Sequence, residues 1–192
     1  ILGSKFIYKG EEYTLKMAGK HQINNAISAI ETMKILNLKE FYIPKSAVKK
    51  GLSSATVCAR AEVISEKPLL LIDGAHNPGG ANSLVNLLRN LVEQKPIVMV
   101  VGMLAEKNVE KSIAEFSTVV DTPICVDGFY QGAISAGELS NLFHNNGKSA
   151  IIATDIKDAI NQAELLAGDD GAIVVCGSLY LASEVRKYIF PV

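Results

Sequence analysis

Residues 69–88 read LLLIDGAHNPGGANSLVNLL, and this stretch decides the fold. Its first four residues are all apolar, as in a strand covered on both faces. Asp73 ends the strand, and a Gly- and Pro-containing loop leads into an amphipathic helix. Asn77 is a good N-cap, and Pro78 suits the first helical position. The loop therefore offers backbone N–H groups at a helix N-terminus, which suits an anion.

Downstream, strand and helix alternate. Strands are expected at IVMVVG (97–102), ICVD (124–127), AIIAT (150–154) and AIVVCG (172–177). Helices are expected near 79–93, 108–117, 136–144, 156–167 and 179–189. Just upstream, EVIS and LLLID are short strands flanking Lys67-Pro68. The alternation predicts an α/β fold, a doubly wound and mostly parallel sheet. Before Arg60 the pattern differs. KFIY and YTLKM, within residues 5–17, read as two strands around a turn at residues 9–12. Then Ile23, Ala26, Ile27, Ile30, Met33 and Leu36 recur at helical spacing and predict one buried stripe. A second helix is expected from Pro44, near its first position, to Lys50, with Gly51 as the stop and 52–59 as a connector.

Charge divides the chain at the same place. Residues 1–59 hold nine Lys against four acidic residues, a net +5, while 60–192 hold ten basic against sixteen acidic, a net -6. Such a step predicts two different pieces of protein. The whole chain has 192 residues, net charge -1, 48% apolar and 20% charged residues. A folded core is expected, and nothing in the balance suggests nucleic acid as a partner. No run approaches the ~18–20 apolar residues of a membrane span. The three cysteines, Cys58, Cys125 and Cys176, share no metal-ligand spacing, so no metal site is expected among them and a reducing location fits. The chain begins at Ile1 without a Met, which reads as trimming at the N-terminus.

In doubly wound sheets ligands bind beyond the carboxyl ends of the strands. That rule selects Asp73 and His76, expected to face one crevice. Asp73 can accept from an ammonium or hydroxyl, and His76 can donate or take a proton near neutral pH. A capped turn with a satisfied Asp and His is the alternative. Ser178, after the last strand, can cap a helix, hold a carboxylate, or do both. Gln22 and Asn25 are three apart and share a helix face beside His21, where amides can grip a purine edge; ordinary capping by Asn24 or Asn25 is the alternative. Arg60 suits phosphate, or a surface ion pair with Glu62. Gly147-Lys148-Ser149 is not a P-loop, because Leu142 stands where the first Gly is required.

The segments GKHQINNAISAI, Arg60-Ala61-Glu62-Val63, IDGAHNPGGANSL, VVGMLAEKN and CGSLYLASEVR occur in an order that resembles the folylpolyglutamate synthase and dihydrofolate synthase branch of the Mur ligase superfamily. The resemblance covers nearly the whole chain but only part of the family's enzyme. It implies that 1–59 is the last segment of a central ATPase domain and 60–192 the Rossmann-like C-terminal domain. It implies an ATP-dependent ligase that joins L-glutamate to folate, and in the family's bifunctional members also to dihydropteroate, through an acyl phosphate. Asn25, His21 and Gln22 would edge the adenine of ATP. Arg60 would meet its phosphates. Asp73 and His76 would close on ATP and glutamate, and Ser178 would lie near the glutamate. Magnesium ligands and the P-loop would belong to the rest of the ATPase domain, so this chain alone should be inactive. A cytoplasmic monomer is expected. Two departures stand out. Cys58-Ala59 replaces the family's Pro-Gly, and Glu106-Lys107-Asn108 replaces its Asp-Lys-Asp. The other readings are a peptidoglycan-type Mur ligase domain and a non-catalytic binding module.

Overall fold

The computed structural model describes residues 3–92, 96–105 and 108–191. The chain divides into two compact units, Ile1–Cys58 and Ala59–Val192.

The first unit opens with an antiparallel hairpin, β1 (Ser4–Tyr8) and β2 (Glu11–Leu15). Its turn uses Lys9 and Gly10, both at positive φ. Two helices follow, α1 (Lys20–Asn37) and α2 (Lys45–Ser54). The fully buried positions of α1 are Gln22, Ala26 and Ile30. The expected stripe is therefore rotated: Ile23, Ile27, Met33 and Leu36 are half-buried at its edge, and a polar Gln22 takes a buried place. Pro44 is the N-cap of α2 rather than its first residue, and Gly51 lies inside the helix. A glycine in a helix costs only about 1 kcal/mol, and the Ser53 and Ser54 hydroxyls bond back to the Lys50 carbonyl as the helix continues. Lys45 and Lys49 on α2 both pair with Glu11 on β2 at 3.0 and 2.8 Å, which pins helix to hairpin.

The second unit is a six-stranded sheet of β3 (Glu62–Glu66), β4 (Leu69–Ile72), β5 (Ile97–Val101), β6 (Thr122–Cys125), β7 (Ile151–Ile152) and β8 (Ala172–Cys176). The order is β3-β4-β8-β5-β6-β7. Only β3 runs antiparallel to its neighbour. The helices are α3 (Pro78–Leu91), α4 (Val109–Ser117), α5 (Ala136–Asn145), α6 (Ile156–Ala167) and α7 (Leu179–Ile189). This is the doubly wound α/β architecture expected from the alternation.

Right-handed crossovers put α3, α4 and α5 on one face and α6 and α7 on the other. Ala159, Ile160, Ala163, Leu181 and Val185 of α6 and α7 share a core with Ile72, Val98, Val100 and Val175. The alternate strand residues Leu71, Met99 and Val174 are also fully buried, under the opposite helices. Strands buried on both faces explain the unbroken apolar runs. On α3, Ala81, Leu84, Val85 and Leu88 form the buried stripe; each large one contributes roughly 1.5–3 kcal/mol. Because β8 enters between β4 and β5, the chain reverses direction around it. The carboxyl ends of β4, β8 and β5 therefore border the topological switch, where a crevice is expected.

Candidate active site

The loop after β4 is built by its own polar side chains. Asp73 is 7% exposed. Its Oδ1 accepts from Ala75 N–H at 2.8 Å and its Oδ2 from Ala61 N–H at 2.7 Å. His76 Nδ1 lies 2.9 Å from Gly74 O. A carbonyl can only accept, so Nδ1 is the donor in this contact, and in the neutral imidazole Nε2 is left as the acceptor. Asn77 Nδ2 approaches that Nε2 at 3.4 Å, and Asn77 Oδ1 accepts from Gly80 N–H at 2.9 Å. Asn77 thus caps α3 and steadies the imidazole together. Pro78 opens the helix as expected.

The end of β8 lies against this loop. Gly177 N–H donates to Ala75 O at 2.9 Å. Gly177 has φ +102, and a Cβ there would stand 2.6 Å from the Gly102 carbonyl oxygen. Glycine is required on both counts. Ser178 is 3% exposed, and its hydroxyl oxygen accepts from Tyr180 N–H at 3.1 Å as the N-cap of α7. Its O–H can still donate.

A cavity of about 200 Å³ opens here, lined by His76, Leu104, Gly177, Ser178, Leu179 and Tyr180. Its lining includes one imidazole, of His76, and two hydroxyl side chains, of Ser178 and Tyr180, and the N-termini of α3 and α7 both begin at its edge. Helix N-termini favour negative charge by ~0.3–1 kcal/mol each. At about 200 Å³ the space is smaller than the ~300–1,000 Å³ pockets that hold drug-sized ligands. Tyr130, from the loop after β6, stacks on Tyr180 with centroids 3.7 Å apart. Hydrogen bonding to Tyr130 holds the Tyr180 hydroxyl above its usual pKa.

The structure brings His76 and Ser178 together at this cavity. Asp73 lies beneath the loop and is absent from the lining, contrary to the expectation that both motif residues face one crevice. Both its oxygens accept from backbone amides, Ala75 and Ala61. Arg60 is half-buried and makes no ion pair among the described residues. The alternative of an ion pair with Glu62 does not form: Glu62 pairs with Arg186 of α7. His21, Gln22 and Asn25 belong to the first unit. Asn25 Nδ2 donates to Gln22 Oε1 at 3.2 Å, with Gln22 buried and Asn25 exposed, so the two amides do meet on one helix edge. Asn108 is at φ +76 just before α4, a conformation Asn tolerates; Glu106 and Lys107 lie outside the described residues. Leu104 and Tyr130 were missed by the sequence reading, since nothing local marks a loop residue that reaches a neighbouring strand end. Tyr180 sat in the GSLYL motif without a role. Among the described residues no group of three His, Cys, Asp or Glu side chains is placed to hold a metal, and no helix is long and apolar enough to cross a membrane.

Residues 59–179 match the family model described as Mur ligase, glutamate ligase domain. Among curated proteins, the folylpolyglutamate synthase of Lacticaseibacillus casei is 33% identical over 198 residues, covering 96% of this chain and 43% of the relative. The dihydrofolate synthase/folylpolyglutamate synthase of Escherichia coli is 30% identical, covering 86% of this chain and 37% of the relative. This chain therefore spans less than half the length of these relatives. A crystal structure of the Yersinia pestis bifunctional folylpolyglutamate synthase/dihydrofolate synthase, complexed with AMPPNP and a Mn ion, is 32% identical with a TM-score of 0.72, covering 82% of this chain and 37% of that one. The Mycobacterium tuberculosis folylpolyglutamate synthase complexed with ADP has the same fold, with a TM-score of 0.83 at 22% identity, covering 98% of this chain and 47% of that one.

Proposed function

This chain belongs to the Mur ligase family through its glutamate ligase domain, and we propose that it supplies the glutamate side of an ATP-dependent folylpolyglutamate synthase. The observation that carries this reading is the small cavity at the sheet's switch point, where His76 and Ser178 meet two helix N-termini. In the proposed reaction ATP phosphorylates the glutamyl side-chain carboxylate of a folate, or the aryl carboxylate of a dihydropteroate. The amino group of L-glutamate then attacks the acyl carbon, a C–N bond forms, the C–O bond to phosphate breaks, and phosphate leaves.

Each residue takes a part that its geometry permits. The His76 Nε2 lone pair holds the glutamate amine and can take its proton, because attack needs the neutral amine. The Ser178 O–H donates to a glutamate carboxylate, whose charge the α3 and α7 N-termini favour. Asp73 holds the loop that aims His76. Arg60, without a partner among the described residues, meets the ATP phosphates. Asn25 and Gln22, with His21, edge the adenine, and residues 1–59 are the last segment of the ATPase domain. The sequence contains no P-loop, and among the described residues no carboxylate cluster is placed to hold magnesium, so those groups are assigned to the remainder of the enzyme. A cytoplasmic location and a monomeric enzyme accord with this reading.

In the full-length protein, His76→Ala should raise KM for glutamate or lower turnover by about 10²-fold or more, the usual scale for a proton-transfer group. The isolated 192-residue chain should ligate nothing. Ligation of glutamate to folate by the isolated chain, or an unchanged His76→Ala rate at limiting glutamate, defeats the assignment. A nucleotide-peptide substrate taken in preference to folate would move the protein to the peptidoglycan branch.

A further inference from the structure

The turn that carries Arg60 has unusual backbone on both sides. Ala59 sits at φ +54 and Ala61 at φ +48, both in the left-handed region that L side chains with a Cβ avoid. Such residues persist only where the surroundings over-determine them. Here the surroundings are two carboxylates. Glu62 Oε2 accepts from Ala59 N–H at 2.9 Å, and Asp73 Oδ2 accepts from Ala61 N–H at 2.7 Å. The Ala59 carbonyl is also held, accepting from Gly74 N–H at 2.7 Å. Both alanines are buried, at 4% and 7% exposure.

Glu62 has a second commitment. Its Oε1 pairs with Arg186 on α7, whose guanidinium in turn lies over the Phe190 ring at 5.5 Å. A carboxylate shared between a backbone amide and Arg186 is not available to neutralise Arg60 two residues away. Arg60 keeps its charge unpaired among the described residues.

We infer that Glu62 is a positioning residue for Arg60: with Asp73 it clamps the strained Ala59–Ala61 turn in the form that presents an unneutralised guanidinium to an anionic, phosphate-bearing ligand. The inference rests on the reading of Arg60 as a phosphate contact. Asp73 links this turn to the small cavity, because its other oxygen holds Ala75 beside His76. The anion site and the amino-acid cavity thus share one buried carboxylate as their common support.

The test is steady-state kinetics of the full-length protein carrying Glu62→Ala, alone and combined with Ala59→Gly. Glycine adopts positive φ without a clamp. Glu62→Ala should raise KM for ATP about tenfold, equivalent to ~1.4 kcal/mol, with KM for glutamate unchanged. Adding Ala59→Gly should recover most of that loss. A merely structural role would lower stability and shift every kinetic constant together, with no recovery from glycine. An unchanged KM for ATP, or a loss that Ala59→Gly does not relieve, overturns the inference. If the parent protein shows no ATP-dependent ligation, the functional reading fails. Amide hydrogen exchange at Ala59 in the purified chain then decides the clamp itself: loss of protection in Glu62→Ala supports it, and unchanged protection overturns it.

Discussion

Asp73→Asn is nearly isosteric, yet the structure gives it a large cost. The native carboxylate is acceptor-only and buried, and each oxygen holds one backbone amide, Ala61 at 2.7 Å and Ala75 at 2.8 Å. A carboxamide offers one acceptor oxygen and one NH₂ donor. Whichever way it is turned, the NH₂ faces a backbone N–H, so one amide loses its partner. A hydrogen bond to a charged group contributes about 1.5–3 kcal/mol, and an unpaired buried donor costs about 1–3 kcal/mol. The turn at Ala61 relaxes and returns part of this, which leaves a destabilisation of about 3 kcal/mol. For a chain of this size that is roughly 6–12 °C in Tm. Urea denaturation followed by circular dichroism reads it as a shift in midpoint at constant slope. Asp155→Asn is the internal control. Asp155 caps α6 by accepting from Asp158 N–H at 2.8 Å, a role that Asn fills as well as Asp. If Asp73→Asn stays within ~0.5 kcal/mol of the parent, as Asp155→Asn should, the carboxylate does not hold the two amides and the support shared between Arg60 and His76 is lost with it.

Two further outcomes follow from side-chain environments. Burial pushes the Cys125 thiol up to about 12 and Cys176 well above its usual value, whereas Cys58 is exposed. A thiol reagent at neutral pH should therefore titrate one cysteine in the folded chain and three after denaturation; fast labelling of Cys125 or Cys176 would contradict the packed sheet. In the first unit, Glu11 is held at about 2 by Lys49 and Lys45, and Glu31 at about 2 by Lys34 and Lys9. Carboxylates with depressed folded pKa values stabilise above their unfolded pKa of ~4.3 and lose that contribution as pH falls toward 2. Stability of this unit should fall between pH 5 and 2, less steeply in high salt, and Lys45→Ala with Lys49→Ala should flatten the dependence; a flat parent profile would refute it.

The elements of the second unit were legible because their causes are local. Apolar runs of four to six residues, Asn77 before Pro78, and Ser178 after Cys176-Gly177 carry strand ends and helix starts in their own residues. The strand order was not legible. Nothing local says that β8 inserts between β4 and β5, yet that insertion creates the switch point and the cavity. In the first unit the misreadings share one cause. A glycine or an apolar period is a weak local preference: α2 runs through Gly51 to Ser54, and the side of α1 that is buried is set by packing around Gln22, Ala26 and Ile30.

The site residues divide in the same way. The strand-end rule selected both His76 and Ser178, and the two line one cavity because a parallel sheet brings the ends of β4 and β8 to one edge whatever their side chains are. It could not say where a carboxylate points. Asp73 stands at the same edge, but two alanine amides turned inward claim it. Glu62, which the sequence offered only as an ion-pair partner for Arg60, instead leaves that arginine unpaired by taking Ala59 and Arg186. An acidic residue next to a basic one in sequence is thus weak evidence that they neutralise each other. Where the intervening backbone is at positive φ, the acid can be spent on the backbone and the base kept for a ligand.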